Sequence, residues 1–320
     1  MFSTLLIFIS SSWMSMWMIM ELNSLSFLMM LIFNKNLKYE IPMIFFLIQS
    51  FNSYLFLMSS MNLMTFNFFM MIIWFSMISK MGIPPFYLWY LKIMKSINWT
   101  NFFFFSTIQK IIPLIILNNS LYFMNNNLMK FFSLNLMLSS IFSSIISMNF
   151  TSIKIILSFS SMNQMSWIIL ISMINELTMI NFFLTYLMIM MNLTMIFNKF
   201  NINYLNNMNL MKFNNNFSYL LMNLSMFSLA SIPPFTGFLM KWISIQMFFN
   251  YMNFFMIMIL IFSTIISTFI YIRIIFINIL NLSISTKMNF KNINFLNLMN
   301  FNFPLINWMS LTFLFFYEII

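Results

Sequence analysis

Apolar runs of bilayer-crossing length recur along the whole chain, separated by short polar breaks. A run of ~20 predominantly apolar residues can cross a hydrocarbon core as a helix. Such runs cover about Trp13–Phe33, Ile41–Ser60, Leu63–Gly82, Asn101–Leu117, Phe131–Met148, Ile153–Ser172, Ile174–Phe197, Phe217–Met240, Met252–Leu280 and Asn302–Ile319. Asn125–Asn127 and Asn201–Asn216 read as loops. Residues 1–10 are too short to span and read as an extension or the stump of an earlier helix. Met1–Ser10 has no basic n-region and no A-x-A site, so no cleavable signal is expected. The period-two alternation of a lipid-facing barrel is missing. The pattern predicts an all-α polytopic membrane protein of about ten transmembrane helices, forming one transmembrane domain over residues 1–320.

Composition supports this and removes most chemistry. Hydrophobic residues make up 62% of the chain and charged residues 6%, too few charges to solvate a globule. Cys, His and Asp are absent, which excludes disulfides, thiol nucleophiles, iron–sulfur ligation and the commonest metal ligand. Gly82 and Gly237 are the only glycines, so there is no Gly-rich phosphate loop. Stand-alone redox or hydrolytic chemistry is not expected, and neither is a metal or cofactor. The abundance of Phe and Met, with Val absent and Ala230 the sole alanine, is what A/T-rich codons produce, as in organelle genomes.

The formal charge of +10 rests on scattered cations that read as topology signals, not as a nucleic-acid surface. Loops after odd-numbered spans carry Lys35, Lys38, Lys92, Lys95, Lys154, Lys199, Lys212, Lys287 and Lys291, whereas those after even-numbered spans carry only Lys130. That asymmetry is what the positive-inside rule produces. It places the odd loops on the cytoplasmic side or its matrix equivalent, with both termini opposite.

The remaining charges fall in or beside apolar runs. Arg273 is near the end of its span and can snorkel. Glu176 is near a helix N-terminus, where a carboxylate is favoured; Glu40 is in a loop and Glu318 is near the C-terminus. Glu21, Lys80, Lys110 and Lys241 are candidates for function, because an intramembrane charge costs several kcal/mol (~3 or more) unless paired or hydrated. Interfacial snorkelling is the plain alternative for Lys80 and Lys241, and a structural buried pair for Glu21 and Lys110.

A short string occurs twice. Ser79-Lys80-Met81-Gly82-Ile83-Pro84-Pro85-Phe86 is echoed by Ser231-Ile232-Pro233-Pro234-Phe235-Thr236-Gly237-Phe238. A proline pair removes two backbone donors and clashes with the preceding turn, so each copy predicts a broken helix. Inside a bilayer such a break is tolerated only against protein or a hydrated cavity. The two copies fall on spans of opposite direction, the geometry of inverted repeats with an ion or substrate site between them. The halves would be roughly 13–148 and 153–320. Pro113 predicts a kink three residues after Lys110. Together these features point to ion translocation.

The strings Ser79–Trp89, Ile108–Pro113, Ser152–Trp167 and Ile232–Trp242, with Met20-Glu21-Leu22-Asn23, resemble the family of subunit 2 of mitochondrial NADH–ubiquinone oxidoreductase. These are antiporter-like subunits of the membrane arm of respiratory complex I, and the likeness covers nearly the whole chain in order. The resemblance implies a multi-pass subunit of the mitochondrial inner membrane. It would move protons while NADH oxidation and ubiquinone reduction proceed on other subunits of this electron-transport complex. FMN, the iron–sulfur clusters and ubiquinone would be held there and no cofactor here. Neighbouring membrane-arm subunits, antiporter-like ones included, and phospholipids are the implied partners.

By the same resemblance Glu21 matches the acidic partner, Lys80 the lysine it pairs with, Lys110 the central lysine and Lys241 the lysine on the second broken helix. Burial disfavours the charged form of an amine, which suits a group that gains and loses protons. Water between Ser79, Thr107, Gln109, Ser161, Asn163 and Gln164 would complete the path. Gln164 stands where the family commonly has His, and an amide cannot store a proton, so a relay through that position must use water or be dispensable. A free-standing cation/proton antiporter would use similar lysines but usually wants paired intramembrane carboxylates, and only Glu21 lies at depth. A passive scaffold would explain a Glu21–Lys80 pair but not a repeated broken helix.

Overall fold

The computed structural model describes residues 2–34, 37–61, 67–209 and 216–285. The expected span Asn302–Ile319, together with Lys35, Lys212, Lys287, Lys291 and Glu318, lies outside the described residues. Among those described, the chain is helical, with an isolated bridge between Ser152 and Tyr204.

A short helix α1 (Phe2–Leu6) precedes α2 (Trp13–Ile32) and α3 (Glu40–Met61). The predicted third span is α4 (Asn67–Met81), after which the chain breaks at the first proline pair and resumes as α5 (Leu88–Ser96), and the predicted fourth span is split into α6 (Trp99–Ser106) and α7 (Ile108–Leu121). Then come α8 (Asn126–Ser147), α9 (Ile153–Ser172) and α10 (Glu176–Phe200), followed by a 3-10 turn at Leu205–Asn209. The second break separates α11 (Asn216–Ala230) from α12 (Thr236–Tyr251), and α13 (Phe254–Ser285) closes the described bundle. Among the described residues, seven helical segments, one of them α6 and α7 taken together, are long and apolar enough to cross a membrane, with two shorter apolar helices at the breaks.

Two expectations are corrected. The eighth span, broken as expected at the second proline pair, does not end at Met240. It continues to Tyr251, so Lys241 lies inside α12. Lys92 and Lys95 are on helix α5, not in a loop. Pro113 lies within α7, and an interruption that was not expected falls upstream of it at Thr107, whose φ of −122° and ψ of −71° are not helical. There the Lys110 amide bonds the Thr107 carbonyl at 3.0 Å, while the Thr107 hydroxyl donates to the Phe103 carbonyl at 2.6 Å.

The bundle centres on α9, of which 94% of an 18-residue window is buried. It packs on α5, α7, α8 and α10. Apolar side chains face outward elsewhere, as on Leu22 of α2 and Phe51 of α3, because lipid replaces water there. Polar side chains turn inward instead. Buried serines such as Ser140, Ser144, Ser158 and Ser166 donate to carbonyls three residues back at 2.7–2.8 Å, which satisfies a hydroxyl that has no water to bond.

Packing recurs along the chain. Helix α3 contacts both halves of the first broken helix, and α10 contacts both halves of the second. Helix α7 lies on α4 as α13 lies on α11, and α2–α3 is matched by α9–α10.

Most of the described cations outside the interior gather at one end. Asn98 donates to Asn34 at 3.4 Å, and the Lys154 ammonium donates to the Ile97 carbonyl at 2.7 Å. Arg273 Nη1 donates to the Met148 carbonyl at 2.8 Å, and the Ile153 amide to the Asn203 carbonyl at 3.0 Å. These bonds tie the connections carrying Lys38, Lys92, Lys95, Lys154 and Lys199 into one face. Lys130 is at the opposite end, where the Tyr122 hydroxyl donates to Glu176. Among the described residues, the two sets of lysines thus lie at opposite ends of the bundle, and Lys35, Lys212, Lys287 and Lys291 lie outside those residues.

Candidate functional site

Both helix breaks share one backbone design. Ile83 N bonds Ile78 O at 3.2 Å and Gly82 N bonds Ser79 O at 3.2 Å. The counterparts are Ile232 N to Phe227 O at 3.3 Å and Ser231 N to Ser228 O at 3.1 Å. This pair of bonds is a Schellman cap, which needs a left-handed residue at its turn. Gly82 (φ 70°) supplies it in the first break and Ser231 (φ 55°) in the second. The prolines that follow, Pro84-Pro85 and Pro233-Pro234, prevent the helix from resuming at once, and both Pro–Pro bonds are cis.

The glycines serve close approach. A Cβ on Gly82 would lie 2.5 Å from Tyr90 Cβ, and one on Gly237 would lie 1.9 Å from the Ser228 carbonyl oxygen. Gly237 thus lets α12 start hard against the end of α11.

Lys80, Lys110 and Lys241 are all buried, at 7%, 2% and 5% exposure, which removes the snorkelling alternative. Each lies next to an interruption: Lys80 two residues before Gly82, Lys110 three after Thr107, and Lys241 in the first turns of α12. Their polar contacts are neutral. Lys80 Nζ is 3.6 Å from Met20 Sδ, Lys110 Nζ donates to Ser161 Oγ at 3.0 Å, and Lys241 Nζ donates to Ser231 Oγ at 2.9 Å. Aromatic faces add to two of them, with Tyr90 4.8 Å from Lys110 Nζ and Trp167 5.8 Å from Lys241 Nζ.

Glu21 is half-buried in the middle of α2 and within electrostatic reach of Lys80. Its carboxylate accepts from the Ser53 hydroxyl, while Lys80 turns to the sulfur of the neighbouring Met20. The two are therefore joined through the field and not by a direct ion pair. A neutral sulfur or hydroxyl tolerates either protonation state of an amine, whereas a contacting carboxylate would favour the charged one.

Of the polar residues proposed to line a path, Ser79 precedes Lys80, Thr107 and Gln109 stand beside Lys110 on the chain, and Ser161 bonds it. Ser79 donates to Asn52 at 2.7 Å, and Gln109 accepts from Asn23 at 2.9 Å. Asn163 Oδ1 is buried without a partner beside a small recess lined by Ser143, Ser144, Ser147, Ser160 and Tyr271, a polar setting that suits a bound water. Gln164 is buried as well. Sequence reasoning missed Asn52 and Ser53 on α3, Asn23, Tyr90, and the role of Ser231 as a lysine partner. The polar residues Gln49, Asn52 and Ser53 at helical spacing were the available signal for α3.

Comparisons with known proteins fit this architecture. The family described as NADH:quinone oxidoreductase/Mrp antiporter, TM, matches residues 59–267. NADH-ubiquinone oxidoreductase chain 2 of Anopheles gambiae is 32% identical over 85% of this chain and 82% of its own length. The chain 2 protein of Rhipicephalus sanguineus is 34% identical over 83% of both. Among solved structures, a chain of the archaeal membrane-bound sulfane sulfur reductase superposes with a TM-score of 0.80 at 14% identity, covering 95% of this chain and 68% of that one. A chain of respiratory complex I from Thermus thermophilus gives 0.73 at 15% identity, covering 83% and 65%. At that identity they show a shared fold. The chain is thus a multi-pass, antiporter-like membrane protein that belongs to the NADH:quinone oxidoreductase/Mrp antiporter family, among the NADH-ubiquinone oxidoreductase chain 2 proteins.

Proposed function

We propose that this chain is a core membrane-arm subunit of respiratory complex I and translocates protons across the mitochondrial inner membrane. NADH oxidation and ubiquinone reduction take place on other subunits, which hold the FMN, the iron–sulfur clusters and the quinone. Neighbouring antiporter-like subunits and phospholipids cover its apolar flanks, and nucleic acid is not a partner. The basic end of the bundle faces the matrix.

One observation carries this reading: Lys80, Lys110 and Lys241 are buried, adjacent to backbone interruptions, and bonded to neutral partners. An ammonium held this way can lose its proton without stranding a buried counter-charge. Glu21 then acts as the movable element of the set. When its carboxylate swings from Ser53 toward Lys80 the ammonium is stabilised, and when it withdraws the proton is released onward. Lys110, held by α9 at the centre, links the Lys80 side to the Lys241 side through buried hydroxyls and water. The repeated packing of α3 on the first broken helix and α10 on the second supports a division into inverted halves, roughly 13–148 and 153–320.

The first test is to solubilise the native inner membrane in mild detergent, separate intact assemblies by size and locate this chain. Comigration with NADH dehydrogenase activity in a very large complex is expected. Migration alone or as a small oligomer would transfer the lysines to a free-standing cation/proton antiporter, to be followed by ion flux in liposomes.

A further inference from the structure

We propose that Tyr90 is a positioning residue for Lys110, holding it through the Ser161 hydroxyl and tying it to the first helix break. The inference rests on the assignment of Lys110 to the proton path.

The tie to the break is steric. Gly82 closes against Tyr90 so tightly that a Cβ there would lie 2.5 Å from Tyr90 Cβ and 2.7 Å from Cγ. Tyr90 itself is fully buried, with its ring 5.1 Å from that of Phe105 and 6.1 Å from that of Trp89. A ring packed on both sides has no slack, so a displacement at Gly82 is passed to it.

The tie to the lysine is twofold. The Tyr90 ring lies 4.8 Å from Lys110 Nζ, and its hydroxyl is 3.0 Å from Ser161 Oγ, the atom that accepts from Lys110 at 3.0 Å. A serine hydroxyl has one proton to donate, and that of Ser161 goes to the Ser158 carbonyl at 2.7 Å. Tyr90 is therefore the donor to Ser161. The same pair serves the other protonation state. A neutral Lys110 amine needs a donor, which Ser161 becomes by rotating its hydroxyl away from Ser158, while Tyr90 keeps the Ser161 oxygen occupied. The oxygen never lacks a partner during this exchange, which a buried hydroxyl otherwise pays for in stability. Lys110 has no contacting carboxylate among the described residues; a second phenol at this centre, Tyr186 of α10, donates to the Ser106 carbonyl at 3.4 Å and also lies within hydrogen-bonding reach of Ser161.

The test is a double-mutant cycle on the intact complex in sealed inner-membrane vesicles, read as NADH-driven proton flux. Tyr90→Phe keeps the ring against Gly82 and removes only the hydroxyl. It is expected to lower flux by about two- to tenfold, the range one net hydrogen bond covers. In a Ser161→Ala background the same change is expected to add little, less than about 1.5-fold, because the acceptor is already gone. Wild-type flux in Tyr90→Phe, an equal loss in both backgrounds, or failure of Tyr90→Phe to assemble would each overturn the proposal. Lys110→Met separates the two readings. Normal flux in that variant removes Lys110 from the proton path altogether, whereas lost flux together with an additive cycle removes only Tyr90.

Discussion

Lys241 reaches back across the second helix break to Ser231, its ammonium 2.9 Å from the hydroxyl of a residue whose φ is 55°. The first break has Gly82 in the equivalent left-handed position. A residue with a Cβ is disfavoured there by roughly 1–2 kcal/mol. The strain falls on the side chain that holds a buried lysine, and backbone strain collects at functional positions.

Ser231→Gly relieves roughly 1–2 kcal/mol of left-handed strain but strips the buried Lys241 ammonium of its hydroxyl, a loss of about 1.5–3 kcal/mol, so the thermal stability of the assembled complex is expected to stay level or fall slightly while proton flux drops severalfold. One preparation assayed for thermal inactivation and for flux checks both. Undiminished flux would mean that Lys241 needs no hydroxyl at the break.

Gly237→Ala places a methyl where the Ser228 carbonyl oxygen lies 1.9 Å away, and backbone cannot move aside as a side-chain tip can. Loss of the assembled complex is expected, seen on a native gel stained for NADH dehydrogenase activity. Normal amounts would show that α11 and α12 can separate at no cost to assembly.

Glu21→Gln removes the charge that, among the described residues, lies within electrostatic reach of Lys80, and leaves the Ser53 contact in place. The pH dependence of proton-coupled activity is expected to shift, because Lys80 then titrates without its carboxylate. A profile superimposable on wild type would remove functional meaning from the Glu21–Lys80 relationship.

Arg273 bridges the Met148 carbonyl at 2.8 Å and the Phe150 carbonyl at 3.5 Å, fastening α13 to the end of α8 with the fork of its guanidinium. Lysine keeps the charge but not the fork. Arg273→Lys is expected to weaken this corner by about 1 kcal/mol, read as faster amide hydrogen exchange over residues 148–153, with flux little changed.

Several of these relationships were only half visible before the structure. Local chemistry announced both breaks, since no helix runs unbent through Ile-Pro-Pro-Phe. It gave no sign of the interruption at Thr107, and Pro113 stays within α7 because a proline in the first two turns of a helix forgoes a single hydrogen bond that packing on α4 and α9 can offset. Glu21 and Lys80 were expected to pair, yet side-chain reach on two helices depends on how they rotate about their axes. Here Ser53 and Met20 are the nearer partners. Tyr90 had no signature at all: one aromatic among many becomes a lysine's neighbour only when α5 folds back on α9.

What the sequence by itself determined was the solvent and the scale of the fold. Span length, the scarcity of charge, the one-sided lysines, the two proline pairs and the identity of the four intramembrane charges all follow from local free energies of transfer and backbone geometry, which each segment carries on its own. Only the tertiary structure decided what each buried charge touches. A lysine's partner is set by which helix face lies opposite within about 3 Å, and that depends on packing among segments far apart in the chain. The placement of Lys110 against Ser161 and Tyr90, and of Lys241 against Ser231, was therefore settled by the assembly of helices around α9.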